Sequence, residues 1–245
     1  MSQFLSRSRS KPLAIGIIGG MSPEATVTYY QHIVRCHLQE FGDHSYPRIV
    51  ISSVSFQAYI EWQQQGDWQR IRKELEREFH AVAAAGADFA VLATNTMHKV
   101  LPSLDSPVPV LSILDTVADR ARKSGVKSVA LTGTRFTMSD GFYAEGMESR
   151  GLRVISPSAD EQDAIHHIIY DELIAGVVNA GSVENFATIA RSLVSRGAEA
   201  ILLGCTELQM LTQDAWFADR ILDSTLIHSE AAWRLAVRRT ANASS

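Results

Sequence analysis

Short apolar runs alternate along the chain with longer segments whose apolar residues recur every three or four positions. Runs at 13–18, 48–54, 88–93, 108–113, 127–132, 152–156 and 199–204 have the length and composition of strands buried on both faces. The intervening stretches 23–41, 67–85, 139–150, 158–178 and 182–196 carry the helical period. Pro23 sits where a first-turn proline belongs, Ser182 and Glu184 give a Ser-x-Glu start, and Gly197 follows as a stop. Strands alternating with helices predict an α/β fold with mostly parallel sheets flanked by helices.

One motif occurs twice. Gly86-Ala87-Asp88 is followed by an apolar run and Thr94, while Gly197-Ala198-Glu199 is followed by an apolar run and Cys205, at a constant offset of 111. Ile15-Gly16-Ile17-Ile18-Gly19 and Val129-Ala130-Leu131-Thr132-Gly133 superpose at 114, and Tyr29 and Tyr143 share that offset. The repeat predicts two similar domains related by pseudo-twofold symmetry, with Thr94 and Cys205 at matching carboxyl ends of parallel strands, where open α/β sheets place ligands. The join falls near 113–117, and the helical stretch 224–241 is expected to fold back onto the first half. The expected division is therefore 12–114 with 224–241 as the first domain, 115–223 as the second, and 1–11 as a disordered start.

Composition narrows the class of partner. The chain has 245 residues, of which 46% are hydrophobic and 20% charged, with a net charge of −4. Beyond Arg7-Ser8-Arg9-Ser10-Lys11 there is no basic tract, so nucleic acid is not an expected partner. The polar start lacks the apolar core of a secretory signal and no run reaches a membrane span's length, so a cytoplasmic protein without membrane contact is expected. Two cysteines, Cys36 and Cys205, are too few for a disulfide framework or a zinc cage.

Those two cysteines have different settings. Cys36 lies within a helical stretch and reads as packing. Cys205 follows a buried strand and a glycine at an expected helix start, where backbone N–H groups lower a thiol's pKa from about 8.5. Thr94 opens the polar cluster Thr94-Asn95-Thr96-Met97-His98. One of these residues would serve as a helix cap, whereas three in a row suit a ligand, with Asn95 and Thr96 offering neutral donors to a carboxylate. His98 reads as a helix residue, His228 as a packed helix start and His166-His167 as a solvated face, none at metal-ligand spacing.

The turn Gly19-Gly20-Met21-Ser22-Pro23 between strand and helix is an anion site by geometry. It matches neither the dinucleotide fingerprint nor a P-loop. Its counterpart Thr132-Gly133-Thr134-Arg135-Phe136-Thr137 offers hydroxyls and an Arg.

Together, Gly19-Gly20-Met21-Ser22-Pro23-Glu24-Ala25-Thr26, Thr94-Asn95-Thr96-Met97-His98, Thr132-Gly133-Thr134 with Phe142-Tyr143, and Gly204-Cys205-Thr206-Glu207 resemble the aspartate/glutamate racemase family, in order from about residue 13 to residue 235. The resemblance implies two similar α/β domains around a cleft, a homodimer, and catalysis without pyridoxal phosphate, metal or other cofactor. It also implies two cysteines that exchange the α-proton of an acidic amino acid from its two faces.

Cys205 matches the second cysteine, and Thr94 stands where the first belongs. An alcohol near water's pKa of about 15.7 lies about 7 units above a thiol, or about 10 kcal/mol, so Thr94 cannot act as a thiolate does. Ile174 stands where such proteins often carry a Lys, and Val54-Ser55-Phe56-Gln57-Ala58-Tyr59 has no Arg. The implied function is a racemase or epimerase of an amino acid, Asp or Glu first. Its catalytic residues are Cys205 and Thr94; Met21, Ser22, Asn95, Thr96, Thr134 and Thr206 hold the carboxylate, and Glu207 supports Cys205. A one-cysteine decarboxylase of a malonate-type acid and a non-catalytic small-acid binding module are the alternatives.

Overall fold

Two four-stranded sheets of identical topology make up the computed structural model, which describes residues 12–238. Strands β1 (Ile15–Gly19), β2 (Ile49–Ser53), β3 (Phe89–Leu92) and β4 (Val110–Leu111) pair in the order β2-β1-β3-β4. Strands β5 (Ser128–Thr132), β6 (Arg153–Ile155), β7 (Ala200–Leu203) and β8 (Ile221–Asp223) repeat it as β6-β5-β7-β8. Every pairing is parallel. The helices are α1 (Pro23–Phe41), α2 (Phe56–Gln64), α3 (Trp68–Ala84), α4 (Ile113–Lys123), α5 (Arg135–Ser139), α6 (Phe142–Glu148), α7 (Ala159–His167), α8 (Ala180–Ser195) and α9 (Ser224–Arg238). None among the described residues is long and apolar enough to cross a membrane.

The central strands β1, β3, β5 and β7 are buried along their whole length because helices cover both faces of each sheet. On the first sheet, Ile71, Leu75 and Phe79 of α3 pack on Ile18, Ala90 and Leu92. On its other face, Tyr29 and Ile33 of α1 pack on Ile15 and Val91 together with Ala232, Trp233 and Ala236 of α9. On the second sheet, Phe186, Ala190 and Leu193 of α8 cover one face, and Ile113, Val117 and Ala121 of α4 cover the other.

The last helix of each repeat thus serves the opposite half. Helix α4 follows β4 but buries its apolar stripe, Ile113 and Leu114 included, in the core of the second sheet. Helix α9 follows β8 but completes the core of the first, where Leu13 N–H donates to Ala236 O at 3.0 Å. Arg120 of α4 pairs with Glu230 of α9 where the two exchanged helices meet.

Several local details differ from the periodicity reading. Residues 139–150 are not one helix: Gly141, at φ 93, breaks the stretch between α5 and α6. The stretch 158–178 begins as α7, with a capping box between Ser158 and Glu161, and then widens into a π turn (Ile168–Glu172) and tightens into a 3-10 turn (Leu173–Ala175) ended by Gly176. Helix α8 begins at Ala180 after Asn179, so Ser182 lies within its first turn, where its hydroxyl donates to Glu172 Oε1 at 2.8 Å. Helix α2 was hidden by its glutamines, since among its residues only Tyr59 is fully buried. Strand β8 was hidden by its three-residue length. Residues 1–11 and 239–241, read above as a disordered start and the end of the last helix, lie outside the described residues.

Candidate active site

Thr94 and Cys205 occupy the same place in the two sheets. Strand β3 ends at Leu92 and is followed by Ala93 and Thr94, and β7 ends at Leu203 and is followed by Gly204 and Cys205. Both side chains line one cavity of about 270 Å³. Met21, Ser22, Asn95, Thr96, Thr134, Thr206 and Glu207 line it too, so every residue singled out for this site is brought to it. That volume suits a single small molecule.

The turn after β1 forms its floor and depends on glycine. Gly20 has φ +89, and a Cβ there would lie 2.3 Å from Val54 O. Ser22 then caps α1 by accepting from Ala25 N–H at 3.2 Å. The same hydroxyl donates to Glu207 Oε1 at 3.0 Å, joining residues 185 positions apart. With its proton committed to Glu207, Ser22 is a clamp on that carboxylate rather than a free donor.

The opposite oxygen of Glu207 accepts from the thiol. Cys205 Sγ donates to Glu207 Oε2 at 2.9 Å. The expectation of an acidified sulfur is corrected here: burial, then the negative charge of Glu207 and its hydrogen bond, raise the Cys205 thiol well above its ordinary pKa. The N–H groups of Glu207 and Thr206 pull the other way and are outweighed. Cys205 starts a 3-10 helix (Thr206–Leu211) of only six residues, so little helix dipole is available. Cys205 rests as a thiol, with a carboxylate already in place to take its proton.

Other expected donors are partly spent inside the protein. Asn95 is buried; its Oδ1 accepts from Tyr143 OH at 2.9 Å and its Nδ2 donates to Ser224 Oγ at 3.0 Å. Its side chain therefore ties the first half to α6 and α9. Thr134 caps α5, and its Oγ1 lies 3.2 Å from Thr137 Oγ1, with Thr96 Oγ1 3.4 Å from the same atom. Thr206 Oγ1 lies 3.3 Å from Thr225 Oγ1.

The tyrosines of the repeat also cross between repeats. Tyr29 OH donates to His228 Nδ1 at 2.6 Å; the His228 proton must then be on Nε2, which meets Leu111 O at 2.9 Å. His98 donates from Nδ1 to Thr94 O at 2.8 Å and accepts from Ile113 N–H at Nε2 at 3.0 Å. Burial lowers His98 to about 4 and His228 to about 3, so both are neutral structural groups that hold Thr94 and Tyr29 in place. Cys36 is buried in α1, with Sγ 3.5 Å from His32 Nε2, away from the cavity. His166 is half-buried against the Tyr170 ring rather than simply solvated.

Sequence reasoning did not assign Phe56, Gln63, Ile169, Tyr170 or Thr225, which also line the cavity. Tyr29, another lining residue, was visible through the repeat, but the rest depend on how α2, the 168–175 turns and the start of α9 fold over the sheets.

A family model for Asp/Glu/Hydantoin racemases matches residues 18–232. The chain belongs to this racemase family. Among solved structures, a candidate Asp/Glu racemase from Yersinia pestis aligns with TM-score 0.86 and 33% identity over 91% of this chain and 99% of that one. An aspartate racemase homologue from Pyrococcus horikoshii aligns with TM-score 0.80 and 33% identity over 93% and 99%. A glutamate racemase from Aquifex aeolicus is 26% identical over 133 residues, 53% of this chain and half the length of that relative. The duplicated sheets are thus the racemase fold, with Thr94 and Cys205 at its two central strand ends.

Proposed function

We propose that the protein is a cofactor-independent amino-acid racemase or epimerase in which Cys205 and Thr94 handle the α-proton from opposite faces of the substrate. One observation carries the reading: the two side chains stand at equivalent strand ends of a duplicated fold and line one cavity, with the thiol hydrogen-bonded to a carboxylate.

In the forward step the Cys205 proton passes to Glu207 Oε2, and the thiolate so formed takes the α-proton of the substrate as the electron pair moves into the carboxylate. The resulting carbanion accepts a proton on its other face from the Thr94 hydroxyl; water restores that hydroxyl, and the hydroxide so formed is neutralised by the proton that Glu207 releases, which returns the carboxylate. In reverse, Thr94 and water remove the proton and Cys205 returns one. The roughly 10 kcal/mol gap between alcohol and thiol makes the Thr94 side slow, so exchange on the Cys205 face outpaces inversion. The substrate carboxylate is held by N–H groups at the head of the Thr96–Lys99 turn, by the first turn of α1 and by the hydroxyls of Thr96, Thr134 and Thr206.

The test is incubation in deuterium oxide with each enantiomer of several amino acids, followed by NMR and chiral chromatography. Loss of the α-proton signal with slower inversion is the expected result. No exchange, together with carbon dioxide release from a malonate, would establish the decarboxylase reading instead; neither reaction would leave a binding module.

A further inference from the structure

We infer that the substrate carries an uncharged, mainly apolar side chain and not a second carboxylate; this rests on the racemase reading above and specifies its substrate class. The reacting residues and carboxylate donors come from the ends of β1, β3, β5 and β7. The remaining wall is built by elements that follow the edge strands: α2 after β2, and the turns beyond α7 after β6. A substrate with its carboxylate on the central strand ends and its α-carbon beside Cys205 sends its side chain toward this outer wall.

That wall presents Phe56, Ile169, Tyr170 and Ile174, with Gln63 as its neutral polar group. Among the described residues no Lys, Arg or His lines the cavity, and its two charged residues, Glu24 and Glu207, are both acidic. Nearby cations are turned elsewhere and paired. Arg135, next to Thr134 in sequence, binds Asp163 at 2.8 Å along a neighbouring groove, and Lys99 binds Asp140 at 2.7 Å. A side-chain carboxylate would be desolvated against acidic and apolar groups with no counter-ion. The α-ammonium of a neutral amino acid, by contrast, meets the negative charge it needs.

The experiment measures α-proton exchange in deuterium oxide for both enantiomers of Ala, Leu, Met, Phe, Asp and Glu, with the wild-type chain and with Ile174→Lys. Ile174 is 49% exposed, so the replacement leaves the core intact. The expected result is a kcat/KM for the best neutral amino acid at least about tenfold above that for Asp or Glu, the size of one missing charge-assisted contact. Ile174→Lys is expected to narrow that ratio about tenfold, through a lower KM for the acidic substrates. Faster exchange with Asp or Glu in the wild type overturns the inference and leaves the racemase reading standing. Unchanged selectivity in Ile174→Lys overturns the assignment of this wall to the side chain. No exchange with any of the six removes the racemase reading and the inference with it.

Discussion

Cys205 Sγ donates to Glu207 Oε2 across 2.9 Å, so the thiol and the carboxylate it meets belong to one short turn. The carboxylate is held in that pose from the other half of the molecule by Ser22 Oγ at 3.0 Å. Burial first, and then the like charge that a thiolate would bring beside this carboxylate, make the thiol resist ionisation.

Replacing Glu207→Gln separates the two consequences of this pair. Removing the negative charge lowers the Cys205 pKa, so alkylation of the thiol by iodoacetamide at pH 7.5 should accelerate. Removing the base should at the same time cut α-proton exchange by about 10²–10³-fold. A variant that loses both reactivities together would show that Glu207 merely supports the fold.

Substitutions at the two strand ends test the division of labour. Cys205→Ala should abolish exchange for both enantiomers. Thr94→Ala should retain exchange for the enantiomer whose α-proton faces Cys205 while losing inversion. Thr94→Cys, by replacing an alcohol with a thiol, should bring the rates from the two enantiomers closer together. Retained turnover in Cys205→Ala would show that the sulfur is not the base.

Buried neutral histidines give the fold an acid limit. The folded pKa values of His98 and His228, about 4 and about 3, lie below the unfolded value of 6.5. The unfolded chain therefore binds more protons, and the stability these residues contribute, complete above pH 6.5, falls as pH drops toward the folded values. At pH 5 the two together remove about 4 kcal/mol, partly offset by Asp223, whose burial raises its pKa and works in the opposite direction. Thermal melts at pH 7 and pH 5 should show this loss, and His228→Gln should reduce it.

Tyr143→Phe tests the tie between the halves. It leaves the buried Oδ1 of Asn95 without its donor, which costs about 1–3 kcal/mol. For a protein of this size each kcal/mol lowers Tm by about 2–4 °C. An unchanged Tm would show that water replaces the hydroxyl.

Much of this architecture was readable locally. Strands buried on both faces announce themselves as unbroken apolar runs, and the duplicated Gly-Ala-acid motif locates the ends of β3 and β7, hence Thr94 and Cys205, from sequence. Short or mixed elements were not readable: β8 is three residues long, and α2 is rich in glutamine. At Gly141 the backbone takes φ 93, and beyond His167 the helix passes into π and 3-10 turns, neither of which the period of apolar residues shows.

The chain's order alone determined the α/β repeat, the paired strand ends and the residue types placed there, because burial period and internal duplication are properties of neighbours in sequence. Tertiary structure alone decided that Asn95 and Ser22 spend their side chains on internal ties, and that Cys205 rests protonated. Protonation and side-chain environment depend on charge and water exclusion through space, and the groups that set them arrive from positions as far as 199 residues away.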